Sequence, residues 1–282
     1  MSRRGALATL GAGLASACTP LGAVNALSPR PLGVTRDSGL TYGPSPRHRL
    51  DVYRPRRSET PPPLMVFIYG GGWEWGERAD YAFAGRAFAA RGFVTAVPDY
   101  RLTGEAPFPA FLEDCARAVA WCQANAERLG ADPARTVLAG HSAGAYNAAM
   151  LALDGRWLGE AKASAPVRAW AGLSGPYDFL PLETGPGLRT FGGVKDLAST
   201  QPINFVSRTS PPAFLACGDR DQVVKPRNTE RLAARLREAA VPVEAHVYPG
   251  VGHAEPLLAL TWPMRLRLPA LAQSAAFLRN AL

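Results

Sequence analysis

The segment TVLAGHSAGAYNAAM, residues 136 to 150, joins an apolar run to an alanine-rich one through Gly140-His141-Ser142-Ala143-Gly144. A serine on a tight turn between a strand and a helix is lifted above the sheet edge with its hydroxyl exposed, and the flanking glycines leave room for that turn. The same residues could also be a plain helix cap with glycines for the bend. Serine becomes a nucleophile only when a base takes its proton and a carboxylate holds that base, so the rest of the chain decides. Of the four histidines, His141 belongs to the turn and is expected to point away from its neighbour's hydroxyl. His48 reads as a surface residue, and His246, within VEAHVYP, as a structural strand residue. His253 remains, in the glycine-flanked loop Gly250-Val251-Gly252-His253-Ala254-Glu255 after the last strand, a loop suited to bringing an imidazole to the top of a sheet. For the carboxylate, FLACGDRDQVV offers Asp219 and Asp221 just past a strand end, where catalytic groups collect in open α/β sheets. Asp221 is preferred, and the chain order Ser142, Asp221, His253 is one that such triads use.

A second stretch asks for explanation. MVFIYGGGWEWGE, residues 65 to 77, places three glycines and a tryptophan directly after an apolar run. Glycine is chosen where Cβ would forbid a turn or where a backbone N–H must approach another group closely. Three glycines with nothing to serve would be only a flexible loop, and no Lys-Ser/Thr follows to make a nucleotide-binding loop.

The elements that would position these groups alternate along the chain. Strands are expected at Arg49 to Tyr53, Leu64 to Tyr69, Phe93 to Pro98, Thr136 to His141, Arg168 to Ser174, Ala213 to Gly218 and Val243 to Tyr248. Helices fall between them at 80–91, 109–129, 143–153, 226–240 and 269–281. In the second of these, Phe111, Cys115, Val119, Cys122, Ala126 and Leu129 recur every three or four residues. Alternation of this kind predicts a largely parallel sheet covered by helices on both faces. Residues 178–209, rich in Pro, Gly, Ser and Thr, break the pattern and read either as a lid or binding loop or as a surface excursion.

Taken together, these segments resemble the α/β-hydrolases, and within them the small bacterial carboxylesterases that share an HGGGW element with hormone-sensitive-lipase-like esterases. The resemblance runs from about Leu50 to the C-terminus. It is carried by Tyr69-Gly70-Gly71-Gly72-Trp73, by Pro98-Asp99-Tyr100-Arg101-Leu102, by Phe108-Pro109 ahead of a helix with Asp114, by Asp132-Pro133, and by Gly140 to Gly144. It implies an α/β-hydrolase fold with a small lid-like insertion, Ser142 as nucleophile, Asp221 as orienting acid and His253 as base. It further implies that the amides of Gly71, Gly72 and Ala143 form an oxyanion hole, which answers the question set by the glycines. Trp73, Trp75 and Tyr146 are expected to bind substrate. Tyr69 stands where the family usually has His, and is expected to tune the shape of the pocket. The activity implied is cofactor-free hydrolysis of small to medium carboxylic esters through an acyl-enzyme. Arylformamide or feruloyl-type ester hydrolysis is the chemical alternative, and a non-catalytic binding protein the alternative of another class.

Composition bounds the remainder. A chain of 282 residues with 47% hydrophobic content buries a substantial core. Its net charge of +8 comes from scattered arginines without a basic run, which argues against a nucleic-acid partner. No metal-ligand spacing is present, so no metal is expected. Residues 1–27 read as an export signal: Ser2-Arg3-Arg4 resembles the twin-arginine type, and Ala15-Ser16-Ala17-Cys18 a lipoprotein site at which Cys18 would be lipidated. Cleavage near Ala26 is the alternative. The expectation is therefore a periplasmic or membrane-anchored protein whose single catalytic domain spans 28–282. Cys115 and Cys122, seven residues apart on one helix, lie about 10 Å apart, beyond disulfide reach. No structural disulfide is expected, although Cys217 with a helix cysteine stays open.

Overall fold

The apolar runs Pro63–Ile68, Val94–Pro98 and Ala213–Gly218 are buried along their whole length, as strands covered by helices on both faces must be. In the computed structural model, which describes residues 20–28, 30–55, 59–183 and 185–282, they belong to one eight-stranded sheet ordered β1-β2-β4-β3-β5-β6-β7-β8. The strands are β1 Val34–Thr41, β2 Arg49–Pro55, β3 Pro63–Ile68, β4 Val94–Pro98, β5 Asp132–His141, β6 Val167–Leu173, β7 Ala213–Gly218 and β8 Val243–Tyr248. Both pairings of β2 are antiparallel, and every pairing from β4 across to β8 is parallel. This is the α/β-hydrolase architecture.

The helices are α1 Pro20–Leu27, α2 Ala82–Ala89, α3 Ala110–Ala124, α4 Ala126–Leu129, α5 Ala143–Leu153, α6 Arg156–Glu160, α7 Pro186–Phe191, α8 Arg227–Glu238, α9 Glu255–Leu258 and α10 Ala270–Asn280. The helix expected over 109–129 is two helices: it breaks at Asn125, and α4 closes on Gly130 in the left-handed region. β1 was not anticipated, because VTRDSGLT alternates no apolar face and stays half-exposed along its length.

Two findings revise the expected organisation. Helix α1, assigned in sequence to the export signal, packs on the body: Asn25 donates to the carbonyl of Ala79 at 3.0 Å, and Arg86 donates to the Asn25 side chain at 2.8 Å. The packed unit thus includes residues ahead of 28. Cys18 and the twin-arginine element lie outside the described residues. The 178–209 stretch is not a loose excursion. It holds α7 and two short 3-10 turns, and Phe191 from α7 is fully buried in the core.

Helix α5 lies unusually close to the sheet. A Cβ on Gly144 would stand 2.0 Å from the carbonyl oxygen of Ile68 and 2.3 Å from that of Tyr69, and one on Gly140 would stand 2.3 Å from the Gly144 oxygen. All of these are backbone atoms that cannot step aside. Gly144→Ala is therefore expected to lower stability by about 3 kcal/mol or more, near the upper end of overpacking costs. Urea unfolding of the variant beside the parent checks this; an unchanged midpoint would show that the helix can move away from β3 freely.

Candidate active site

Strand β5 ends at His141, and the chain turns into α5 through Ser142, whose φ of 54° and ψ of −124° place it outside the favoured regions for a residue with a side chain. The turn is over-determined by hydrogen bonds. The Ser142 amide donates to Leu173 O at 2.8 Å, and Ala145 and Tyr146 donate back to Ser142 O at 2.9 and 3.1 Å. Backbone strain of this kind persists only where the surroundings enforce it.

The three residues singled out for chemistry meet at the C-terminal edge of the parallel strands. His253 Nε2 lies 2.9 Å from Ser142 Oγ, and His253 Nδ1 lies 2.7 Å from Asp221 Oδ2. Asp221 is fully buried, and its other oxygen accepts from the amides of Val223 and Val224 at 2.9 and 2.8 Å. Those two donors compensate a carboxylate that has left water. Asp219 has a different job. Its carboxylate accepts from Val251 N at 3.3 Å, while the Arg220 amide donates to Val251 O, so this turn pins the loop that carries His253.

His141 is closer to the chemistry than its position in the turn suggested. It is buried, its Nε2 lies 3.1 Å from the His253 carbonyl oxygen, and the two rings are 5.0 Å apart. Burial first, and then the neighbouring His253, push its pKa down to about 3, so the ring is neutral and its Nε2–H can donate to that carbonyl. His48 is likewise no surface residue: it is buried with Nε2 2.9 Å from Asp114 Oδ1. His246 sits half-buried in β8 beside Glu244.

The glycine loop is shaped by contacts that exclude side chains. A Cβ on Gly70 would meet the His141 oxygen at 2.8 Å and Ser142 Cβ at 3.0 Å; one on Gly71, at φ 132°, would strike Trp75 O at 1.9 Å. Gly72 has φ 60°. Among the described residues, no protein acceptor takes the amides of Gly71, Gly72 or Ala143, which leaves them free for an oxygen of a substrate. Tyr69 does not tune the pocket. It is fully buried beneath the loop, stacked between Tyr81 and Tyr100, and its hydroxyl lies 3.2 Å from both Asp99 Oδ1 and Arg47 Nη2. Arg47 also donates to Gly76 O at 2.6 Å, and Tyr81 to Gly70 O at 3.2 Å, so the loop is braced from below along its length.

The other expected substrate contacts divide. Trp73 lines the cleft above Ser142 and is 4% exposed. Trp75 does not line it: the turn in which Glu74 and Trp75 donate to Gly71 O swings this ring outward, to 57% exposure. Tyr146 does not reach it either, being wholly buried 5.2 Å from Trp73 in an aromatic cluster with Phe111 and Phe191. Asn147 was missed. Its side-chain oxygen accepts from Trp73 Nε1 at 3.0 Å, tying the glycine loop to α5; one amide side chain in an otherwise apolar helix was the available signal. The cleft, about 320 Å³, is lined by Phe179, Leu182, Pro186 and Leu188 of the insertion and by residues 222–225, 227 and 228 after Asp221. Pro186 abuts Gly72, and Arg189 forms a forked ion pair with Glu74 of the glycine loop. Among the described residues no group of His, Cys, Asp and Glu could hold a metal ion, and the thiols of Cys115, Cys122 and Cys217 are free and buried.

Sheet order, strained serine turn and the hydrogen-bond chain from Ser142 through His253 to Asp221 define a member of the α/β-hydrolase class. Within that class the chain belongs to the BD-FAE family, whose model matches residues 50–236. It is similar to Esterase LipC of Mycobacterium tuberculosis, 30% identical over 241 residues covering 78% of this chain and 60% of the relative. It is also similar to a probable isoprenylcysteine alpha-carbonyl methylesterase, ICMEL1, of Oryza sativa subsp. japonica, 30% identical over 253 residues covering 80% and 58%. The chain thus spans somewhat over half the length of these relatives. Among solved structures, a truncated carbohydrate esterase from gut microbiota superposes with a TM-score of 0.77 at 21% identity, over 88% of this chain and 96% of that one; this likeness concerns the fold.

The buried neutral His141 has a measurable consequence. The unfolded chain takes up a proton at this residue near the ordinary histidine value of 6.5, and the native chain only near 3, so native stability falls as pH drops through that window. Between pH 7 and 5 this residue accounts for a loss of about 2 kcal/mol. Urea unfolding at the two pH values is expected to show that much more acid sensitivity in the parent than in His141→Asn; equal sensitivity would mean that His141 can be protonated in place.

Proposed function

We propose that the protein is a serine carboxylic-ester hydrolase acting through an acyl-enzyme. The observation that carries this reading is the unbroken chain from Ser142 Oγ through both nitrogens of His253 to the buried Asp221, next to three unoccupied amide donors. In this mechanism His253 Nε2 takes the Ser142 proton as Oγ bonds to the ester carbonyl carbon. The charge that develops on the carbonyl oxygen is met by the amides of Gly71, Gly72 and Ala143, each such donor being worth about 3 kcal/mol at the barrier. As the tetrahedral species collapses, the C–O bond to the alcohol breaks and His253 returns the proton to the leaving oxygen. Water, activated by the same imidazole, then attacks the acyl group and regenerates Ser142. Asp221 fixes the ring and balances its charge throughout.

The cleft of about 320 Å³ fits small to medium esters. The esterase names of the similar chains support the reaction class. The BD-FAE match favours a second reading, aryl-acid esters of feruloyl type, and Phe179 together with Trp73 offers aromatic surface for such an acyl group. Purified protein is expected to hydrolyse p-nitrophenyl acetate and butyrate, with kcat falling at least about 10⁴-fold in Ser142→Ala and in Asp221→Asn. Retention of turnover in Ser142→Ala would overturn the mechanism, and inactivity of the folded parent toward these and toward methyl ferulate would overturn the esterase reading.

An exported, membrane-anchored location completes the proposal. The leader-like residues 1–18 support it, and the packing of α1 against residues 79 and 86 favours processing at Cys18 over cleavage near Ala26. Expressed in a bacterial host that processes lipoproteins, the parent is expected in the detergent phase of a Triton X-114 partition and Cys18→Ser in the aqueous phase. Aqueous partition of the parent would count against the anchor.

A further inference from the structure

We infer that the preferred ester carries an anionic group, bound by Lys225 and Arg227 on the wall of the cleft that follows Asp221. This rests on the ester-hydrolase reading above and names the substrate class for the same site. The two walls around Ser142 differ in chemistry. The insertion supplies Phe179, Leu182, Pro186 and Leu188, whereas the segment after Asp221 supplies Gln222, Val223, Val224, Lys225, Arg227 and Asn228, two valines beside two cations. Substrate at Ser142 therefore meets an apolar surface from the insertion, and the cleft's two cations both come from the segment after Asp221.

The charges on that second wall are not consumed by the fold. Two other arginines close by are neutralised, Arg189 by Glu74 and Arg231 by Asp178 at 2.8 Å. Lys225 and Arg227 have no carboxylate partner among the described residues; the Lys225 ammonium touches only the neutral Gln222 amide oxygen. Among the described residues lining the cleft, Glu183 of the insertion is the one acidic side chain against the two cations Lys225 and Arg227. Nor does Arg227 serve its helix, since it occupies the first position of α8, where the helix dipole disfavours a cation.

The wall is also held in place. Asn228, 4% exposed, accepts from the amides of Tyr177 and Asp178 at 2.9 Å and donates to Lys225 O at 3.2 Å. This fastens the segment carrying both cations to the loop that leads into the opposite wall. At its other end the segment is anchored by the two amides that bind Asp221. The cations thus stand at a fixed remove from the acid of the triad, on a backbone that does not need substrate to order it.

Two matched pairs of esters test the inference and separate the possible locations of the charge. The mono-p-nitrophenyl ester of adipic acid against p-nitrophenyl heptanoate places it on the acyl side, and 4-acetoxybenzoate against 4-acetoxybenzamide places it on the alcohol side. In one pair the anionic member is expected to have a kcat/KM about fivefold higher, through KM, as suits partly exposed cations. That ratio should shrink several-fold between 20 and 500 mM NaCl and fall to about one in the Lys225→Gln/Arg227→Gln double variant, while Arg208→Gln, outside the cleft, keeps it. Ser142-dependent hydrolysis with no preference for the anion in either pair would overturn the inference and leave the hydrolase reading standing. If no ester is turned over, the hydrolase reading fails and binding decides. Calorimetric titration of Ser142→Ala with benzoate and with benzamide would then sustain the cationic wall if benzoate binds more tightly, and overturn it if the two bind alike.

Discussion

The site depends on a backbone contact. Helix α5 begins against the last carbonyls of β3, so close that only glycine fits at 144. The strand that receives this contact runs straight into Gly70, and the helix that makes it begins one residue after Ser142. The distance between Ser142 and the glycine loop is thereby set by main-chain atoms, which have far less freedom than side chains. Gly140, near the end of β5, repeats the constraint against the backbone of Gly144 itself. With the loop and the elbow locked together, the strained conformation of Ser142 has no neighbour that could relax it.

Electrostatics then holds what the backbone has placed. The buried Asp221 carboxylate has partners at both oxygens, two amides at one and the His253 imidazole at the other. Beneath the glycine loop, Asp99 is met by Arg78 and by the Tyr69 hydroxyl, and Asp51 by Arg36 and Arg78. Burial alone would raise the Asp114 carboxyl, but the hydrogen bonds from Arg101 hold it below its ordinary value, with His48 alongside. Removing the arginine partner of one of these buried carboxylates would leave a charge unpaired in the interior, which costs more than the pair itself contributes.

Much of this was legible in the sequence. The seven expected strands lie where apolar runs meet turn residues, and the roles suggested for Ser142, Asp221 and His253 rest on residues that the fold brings within hydrogen-bond distance. What periodicity could not supply was direction. Tyr146 lies one helical turn beyond Ser142, yet α5 leads into the core and carries the ring under Trp73. Trp75, two residues from Trp73, faces the other way because a tight turn intervenes. His48 was misplaced for a related reason: its partner, the carboxylate of Asp114, lies far along the chain. The polar edge strand β1 carries no alternation, since neither of its faces is fully buried.

The two walls of the cleft are attached to the catalytic apparatus in different ways. Pro186 rests on Gly72, and Arg189 grips Glu74, so the apolar wall is mechanically continuous with the loop that would stabilise the oxyanion. The residues of the opposite wall that face the cleft are held by main-chain bonds and by Asn228, leaving the tips of Gln222, Lys225 and Arg227 unencumbered by that loop. A change of packing in the insertion therefore presses on the glycine loop through Pro186 and Arg189. Changes at the ends of Lys225 and Arg227 have no such route to the loop, which makes that segment the mechanically independent half of the cleft.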